Sequence, residues 1–171
     1  MKKKFIDVLA DIAEEVYLHL GGGNFDEKDF QKALGIEFRD RKIDYLRELH
    51  VELFYKNVPL KLGAPDFFFN KLRSPAILEV KLGSIADGSR SLLASRQQLR
   101  MYLDSIKKST NPVLSKVREG YLLNFLKIEP EMHTDQKMDP PKKMHKIDIE
   151  HYNWNKKQQL QCINTKKAGP I

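Results

Sequence analysis

The chain carries one cysteine, Cys162, in 171 residues. A single thiol cannot form an intramolecular disulfide, and a zinc site built on cysteines is excluded, so a reducing compartment is expected. No uninterrupted apolar run approaches the roughly 20 residues that a membrane span requires. The opening Met1-Lys2-Lys3-Lys4-Phe5 resembles a secretory signal only until Asp7, Asp11, Glu14 and Glu15 interrupt its apolar positions, and it reads instead as an amphipathic helix. There is no glycine-rich phosphate loop, no internal repeat and no heptad pattern. His145, His151 and Cys162 have ligand chemistry but none of the spacings of a zinc site. The expectation is an intracellular protein with no membrane partner.

What is abundant is positive charge. Lysine and arginine outnumber the acids 30 to 23, giving a formal charge of +7 and a pI near 9.4, which favours an anionic partner, nucleic acid before others. The length suits one ordinary domain with a tail and allows a substantial core.

Phe5, Val8, Leu9, Ile12, Val16 and Leu20 recur at three- and four-residue spacing, and Gly21-Gly22-Gly23 stops the helix they define. Asn24 or Asp26 caps a second helix that ends near Arg41-Lys42. Leu46 to Tyr55 alternates as a strand, Lys56-Asn57 is a tight turn, and Val58 to Leu62 returns toward Asp66 as the second arm of an antiparallel hairpin. Pro59 and Pro65 favour edge or bulge positions. Ser84 to Ser89 forms a polar loop before the longest helix, from about Ser89 to Lys108, and Tyr121 to Leu126 reads as a buried strand. Beyond Lys127, Pro130, Pro140, Pro141 and lysines without apolar periodicity indicate an extended or partly disordered segment, with one more strand at Ile147 to Trp154.

The informative stretch runs from Ala64 to Lys81: Ala-Pro-Asp-Phe-Phe-Phe-Asn, a polar break, then Pro-Ala-Ile-Leu-Glu-Val-Lys. On a strand, Glu79 and Lys81 share one face while Leu78 and Val80 take the other. An isolated Glu-x-Lys is usually an exposed salt bridge. This one is embedded in aliphatics between Pro75 and Gly83, which places it in an interior strand where a charge must be paired, neutralised or bound to metal. If the Asp66 run pairs beside it, two carboxylates and an ammonium converge, a donor set suited to Mg²⁺ and to metal-assisted phosphodiester hydrolysis. The three consecutive phenylalanines, 67 to 69, read as core, with Phe68 on the Asp66 face. Arg96 lies nearer the buried side of its helix than an arginine normally does, and contacts either a phosphate or an acid. Lys107, Lys108, Lys116 and Arg118 frame a candidate surface for a nucleic-acid backbone, although a charge run is most often a solvated face.

Taken in order, these pieces resemble the GxxExxY group of the PD-(D/E)XK nuclease-like superfamily, over roughly residues 8 to 126. The resemblance rests on Leu20-Gly21 with Phe25 and Glu27, Lys32 to Phe38, Tyr55-Lys56, Pro65-Asp66, Glu79-Val80-Lys81, Gln98-Leu99 with Tyr102-Leu103, and Leu122 to Phe125. It departs at Phe30, where the family pattern has tyrosine, and at Asn24, where it has glycine. The resemblance implies an α/β, restriction-endonuclease-like core over residues 1–127. That core is a mixed four-stranded sheet flanked by helices in the order α-α-β-β-β-α-β, with residues 128–171 as a C-terminal extension. It implies that Asp66 and Glu79 bind Mg²⁺, or Mn²⁺ in its place, with the Val80 carbonyl and Glu27 as further ligands. Lys81 then positions the attacking water, Gln98 orients the site or touches substrate, and Arg96, Lys107 and Lys108 contact nucleic acid. The expected function is a nuclease acting on nucleic acid, DNA before RNA, and pairing as a homodimer is common for enzymes of this fold that cut both strands. The alternative is a binding or assembly module that keeps the fold without cutting, because function resides in sites rather than folds.

Overall fold

Ile6, Leu9, Ile12, Ala13 and Val16 lie on one face of α1 (Phe5–Leu20) and are buried, and the helix closes on Gly21. This is a computed structural model that describes residues 3–84, 90–127 and 145–169. The second helix, α2 (Glu27–Asp40), is capped by Asp26 rather than Asn24: Asp26 accepts from the Asp29 N–H while Asp29 accepts from the Asp26 N–H, both at 3.0 Å. This reciprocal capping satisfies donors that the first turn would leave unpaired.

The strands are β1 (Val51–Tyr55), β2 (Val58–Gly63), β3 (Phe67–Phe69), β4 (Ala76–Ser84), β5 (Glu119–Lys127), β6 (Ile147–Trp154) and β7 (Leu160–Ala168), with α3 (Arg90–Lys107) between β4 and β5. The main sheet has the order β3-β4-β5-β6-β7, where β4 and β5 are parallel and the other pairs antiparallel. It is the expected mixed sheet, but with five strands instead of four and a different membership. The hairpin of β1 and β2 turns at Lys56-Asn57 as anticipated, yet it forms a two-stranded sheet of its own. The strand expected from Leu46 starts only at Val51, because Glu48 at φ 58° turns the chain, and Leu46 instead bridges to Phe68. Pro59 stands at the register shift of the hairpin, where a missing N–H is tolerated.

Ile147–Trp154 is a strand, as its pattern indicated, and Leu160–Ala168 is a further one that the pattern did not reveal. Both continue the sheet beyond β5, so the described part of the C-terminal segment shares the core with the rest. The polar loop expected at Ser84 to Ser89 falls at residues 85–89 outside the described residues, as does the extended segment expected across 128–144.

Strand alternation divides the interior into two layers. Phe67, Phe69, Leu78, Val80, Tyr121, Leu123, Phe125, Ile147 and Ile149 pack beneath α1 and α2. Phe68, Ile77, Leu122 and Tyr152 pack on the opposite side with Leu99, Leu103 and Ile106 of α3 and with Val51 and Leu53 of the hairpin. The three phenylalanines are thus core, as expected, and they serve both layers. Helix α3 approaches closely because β5 has no side chain at Gly120, where a Cβ would lie 2.7 Å from Leu103 Cδ1 and 3.0 Å from Leu99 Cδ1. Phe30 needs no hydroxyl: its ring is buried with its centroid 4.7 Å from that of Phe125.

Candidate active site

Phe67 pairs with Leu78 in the β3–β4 ladder, so Asp66, one residue before β3, falls beside Glu79. The hydrogen bonds agree. The Val80 N–H donates to Asp66 Oδ2 at 2.7 Å, and the Asp66 N–H donates to Glu79 Oε1 at 3.3 Å. Asp66 Oδ1 accepts from Gln31 Nε2 at 3.0 Å, and Gln31 Oε1 in turn accepts from Arg47 Nη2 at 2.8 Å. Arg47 is itself seated 4.9 Å from the centre of the Phe67 ring. The aspartate is therefore held from α2, from β4 and, at one remove, from the segment ahead of β1.

Glu79 is only 1% exposed. Burial, reinforced by the charge of Asp66 and opposed by Lys81, pushes its carboxyl up to about 8. Asp66 is pushed up as well, by burial first, against the Val80 N–H bond and the charge of Lys81. Two adjacent acids that both resist ionisation form a site short of positive charge, a deficit of the kind a divalent cation would offset. The oxygen-only donor set suits a hard cation such as Mg²⁺. The N–H and C=O of one strand residue point to the same edge, so the Val80 carbonyl is also directed toward the Asp66 side.

Glu27, in the first turn of α2, accepts from the Leu82 N–H at 3.2 Å and lies 3.6 Å from Lys81 Nζ. Its charge acts on both Asp66 and Glu79, but its carboxylate is directed to the end of β4. Among the described residues, no three His, Cys, Asp or Glu side chains already converge as a metal cluster. Lys81 shares the α3 side of the sheet with Glu79, two residues along the strand.

Gln98 is exposed on α3 and donates to the Tyr102 hydroxyl at 3.1 Å, while that hydroxyl donates to the Ala64 carbonyl at 3.2 Å. Tyr102 is pushed up chiefly by burial, with Glu79 and Asp66 adding to the effect. Gln98 thus reaches the acids only through Tyr102 and the backbone leading to Asp66. Arg96 Nε lies 3.0 Å from both carboxylate oxygens of Glu150, and Tyr152 donates to the same carboxylate at 2.6 Å. Although burial alone would push Glu150 upward, these bonds hold it below the usual glutamate range. Lys107 Nζ sits 4.2 Å from the centre of the Trp154 ring, and Lys108 donates to the Lys56 carbonyl of the hairpin. These three cations thus lie against β6 and the hairpin, apart from the acid pair.

Sequence reasoning gave no site role to Gln31, Arg47 or Tyr102. Gln31 was within reach of it: four residues after Glu27, it lies on the same face of α2.

Among the described residues no helix is long and apolar enough to cross a membrane. No curated protein and no solved structure gives a match to the chain. A family model described as the PD-(D/E)XK nuclease superfamily matches residues 3–136, and the members of that superfamily are generally nucleases that use divalent metals. With a mixed five-stranded sheet flanked by helices and a family model that covers most of its length, the chain belongs to the PD-(D/E)XK nuclease superfamily.

Proposed function

We propose that the protein is a Mg²⁺-dependent nuclease of the GxxExxY group, acting on DNA in preference to RNA. The observation that carries this reading is the pairing of Asp66 with Glu79, two acids joined by a backbone hydrogen bond and both resisting ionisation, with Lys81 on the next same-face position. Asp66, Glu79 and the Val80 carbonyl would hold the cation, Mn²⁺ substituting for Mg²⁺, and Glu27 would join them after release from Lys81. When bound, the ion supplies charge neutralisation at the phosphate and lowers the pKa of a water.

The residues of the chain do the rest. Gln31 and the Val80 N–H fix the two oxygens of Asp66, so its carboxylate enters the site in one orientation. Lys81 orients the attacking water and offsets the charge that develops on the phosphoryl oxygens. Water adds to phosphorus, the ester P–O bond breaks, and the leaving oxygen takes up a proton. Gln98 steadies Tyr102 and through it the backbone before Asp66. Arg96, Lys107 and Lys108 serve as contacts to the nucleic-acid backbone, and the protein pairs with a second copy when both strands are cut.

The test is incubation of the purified protein with labelled single- and double-stranded DNA and RNA in the presence of Mg²⁺ or Mn²⁺. Wild type cleaves, and Asp66→Ala and Lys81→Ala abolish cleavage while keeping the far-UV circular dichroism of the fold. Cleavage retained in both variants overturns the assignment. Salt-sensitive binding without any metal response identifies a binding module instead.

A further inference from the structure

Asn124 lies on β5 in register with Lys81 on β4 and with Asp148 on β6. Register partners present their side chains on the same face. Leu122, two residues earlier, packs on the α3 side, and so Asn124 stands on the face that carries Glu79 and Lys81. It is 1% exposed, and among the described residues neither its Oδ1 nor its Nδ2 has a hydrogen-bond partner.

A buried amide with both polar atoms unpaired is costly, and folded proteins rarely keep one. Leucine, of similar size and already present at 122, 123 and 126, would fill the place without that cost. The amide therefore has no structural reason to be there. Its register partners on that face are Asp148, which lies 2.9 Å from His145 Nε2, and Lys81, whose ammonium makes an ion pair of 3.6 Å with Glu27. Neighbouring strands lie about 4.8 Å apart, well within the reach of a lysine stem.

We propose that Asn124 is a positioning residue of the hydrolytic site, its Oδ1 accepting from the Lys81 ammonium when Lys81 leaves Glu27 to face the phosphate beside Glu79. The inference rests on the nuclease reading given above. Loss of Lys81 loosens Glu27, which then has the Leu82 N–H to exchange for a place beside Asp66 and Glu79, so the amide acts on both ends of the exchange.

The experiment compares full-length wild type, Asn124→Leu and Asn124→Asp in melting temperature and in steady-state cleavage of the substrate that wild type cuts. Expected for Asn124→Leu is a melting temperature at or above that of wild type, a kcat lower by about 100-fold and an unchanged KM, since misplacing a catalytic group by about 1 Å costs about that factor. Asn124→Asp, which keeps an acceptor in the same place, recovers most of the rate and covers the case of a leucine variant that does not fold. The proposal is overturned if Asn124→Leu cleaves at the wild-type rate, if its loss only follows a lowered melting temperature, or if Asn124→Asp is as slow as the folded leucine variant. A wild-type protein that cuts no substrate refutes the nuclease reading itself and this inference with it. An active wild type with an unaffected leucine variant refutes the inference alone.

Discussion

Replacing Glu79 with glutamine removes a buried titration without changing side-chain shape, and its effect on stability depends on pH in a way the site geometry dictates. The folded-state carboxyl is pushed up from the ordinary 4.5 to about 8. A raised carboxyl costs nothing below pH 4.5, where it is protonated folded or unfolded. The cost then accumulates as pH rises and is complete above about 8, when the folded protein has to ionise a buried group. At about 1.4 kcal/mol for each pH unit across that window, the ceiling is about 5 kcal/mol. For a chain of this length each kcal/mol moves the melting temperature by roughly 2–4 °C, so Glu79→Gln should melt ~10 °C or more above wild type at pH 8.5 and level with it at pH 4.5. Relief of Asp66, which Glu79 no longer opposes, acts in the same direction. Melting curves from pH 4.5 to 9 in chelator measure the effect directly. Mg²⁺ should then raise the wild type alone, since only it keeps both acids. Parallel curves for the two proteins across the pH range would refute the reasoning, because they would mean that Glu79 ionises in the folded protein as easily as in water.

Gln31→Leu should lower cleavage about 10-fold with a melting temperature within a few degrees of wild type, because it frees Asp66 Oδ1 and leaves Arg47 without its acceptor while keeping the volume of the side chain. Unchanged cleavage would show that the backbone bond from Val80 suffices to orient Asp66. Lys107→Ala and Lys108→Ala should each reduce the salt slope of nucleic-acid binding by about 1, whereas Arg96→Ala should act first on stability, costing about 1–3 kcal/mol by leaving the Glu150 carboxylate without its cation. Binding measured across salt concentrations, alongside melting curves, separates the two roles.

The parts of the fold legible in the sequence were those in which side-chain burial decides the structure. The α1 stripe ended by three glycines, the β4 run and the β6 run each bury one or both faces, so their apolar periodicity is strong. Strand β7 is held at the edge mainly by its backbone ladder to β6, and its exposed middle reads like any polar segment. Lys166, which looks like tail charge, is anchored 2.7 Å from Asp7 of α1, a partner 159 residues away that no local pattern announces. The separation of the β1–β2 hairpin was also hidden, because alternation shows that two strands pair but not which sheet they join. In the candidate site, Asp66, Glu79 and Lys81 were readable from the acids set in hydrophobic runs. Gln31 and Asn124 left fainter marks, one on the Glu27 face of α2 and the other an amide within an apolar run, because an isolated amide acquires meaning only when the fold places an acid or a lysine beside it.

The superfamily match ends at residue 136, before the last two strands begin. A fragment cut at that limit would turn β5 from an interior strand into a raw edge, its amide and carbonyl rows open to any passing chain and Ile147 and Ile149 missing from the underside of α1. Such margins template self-association. The stretch that completes the sheet is consequently longer than the stretch that is recognisable, and a truncation planned from homology alone would discard the seal on the sheet along with the tail.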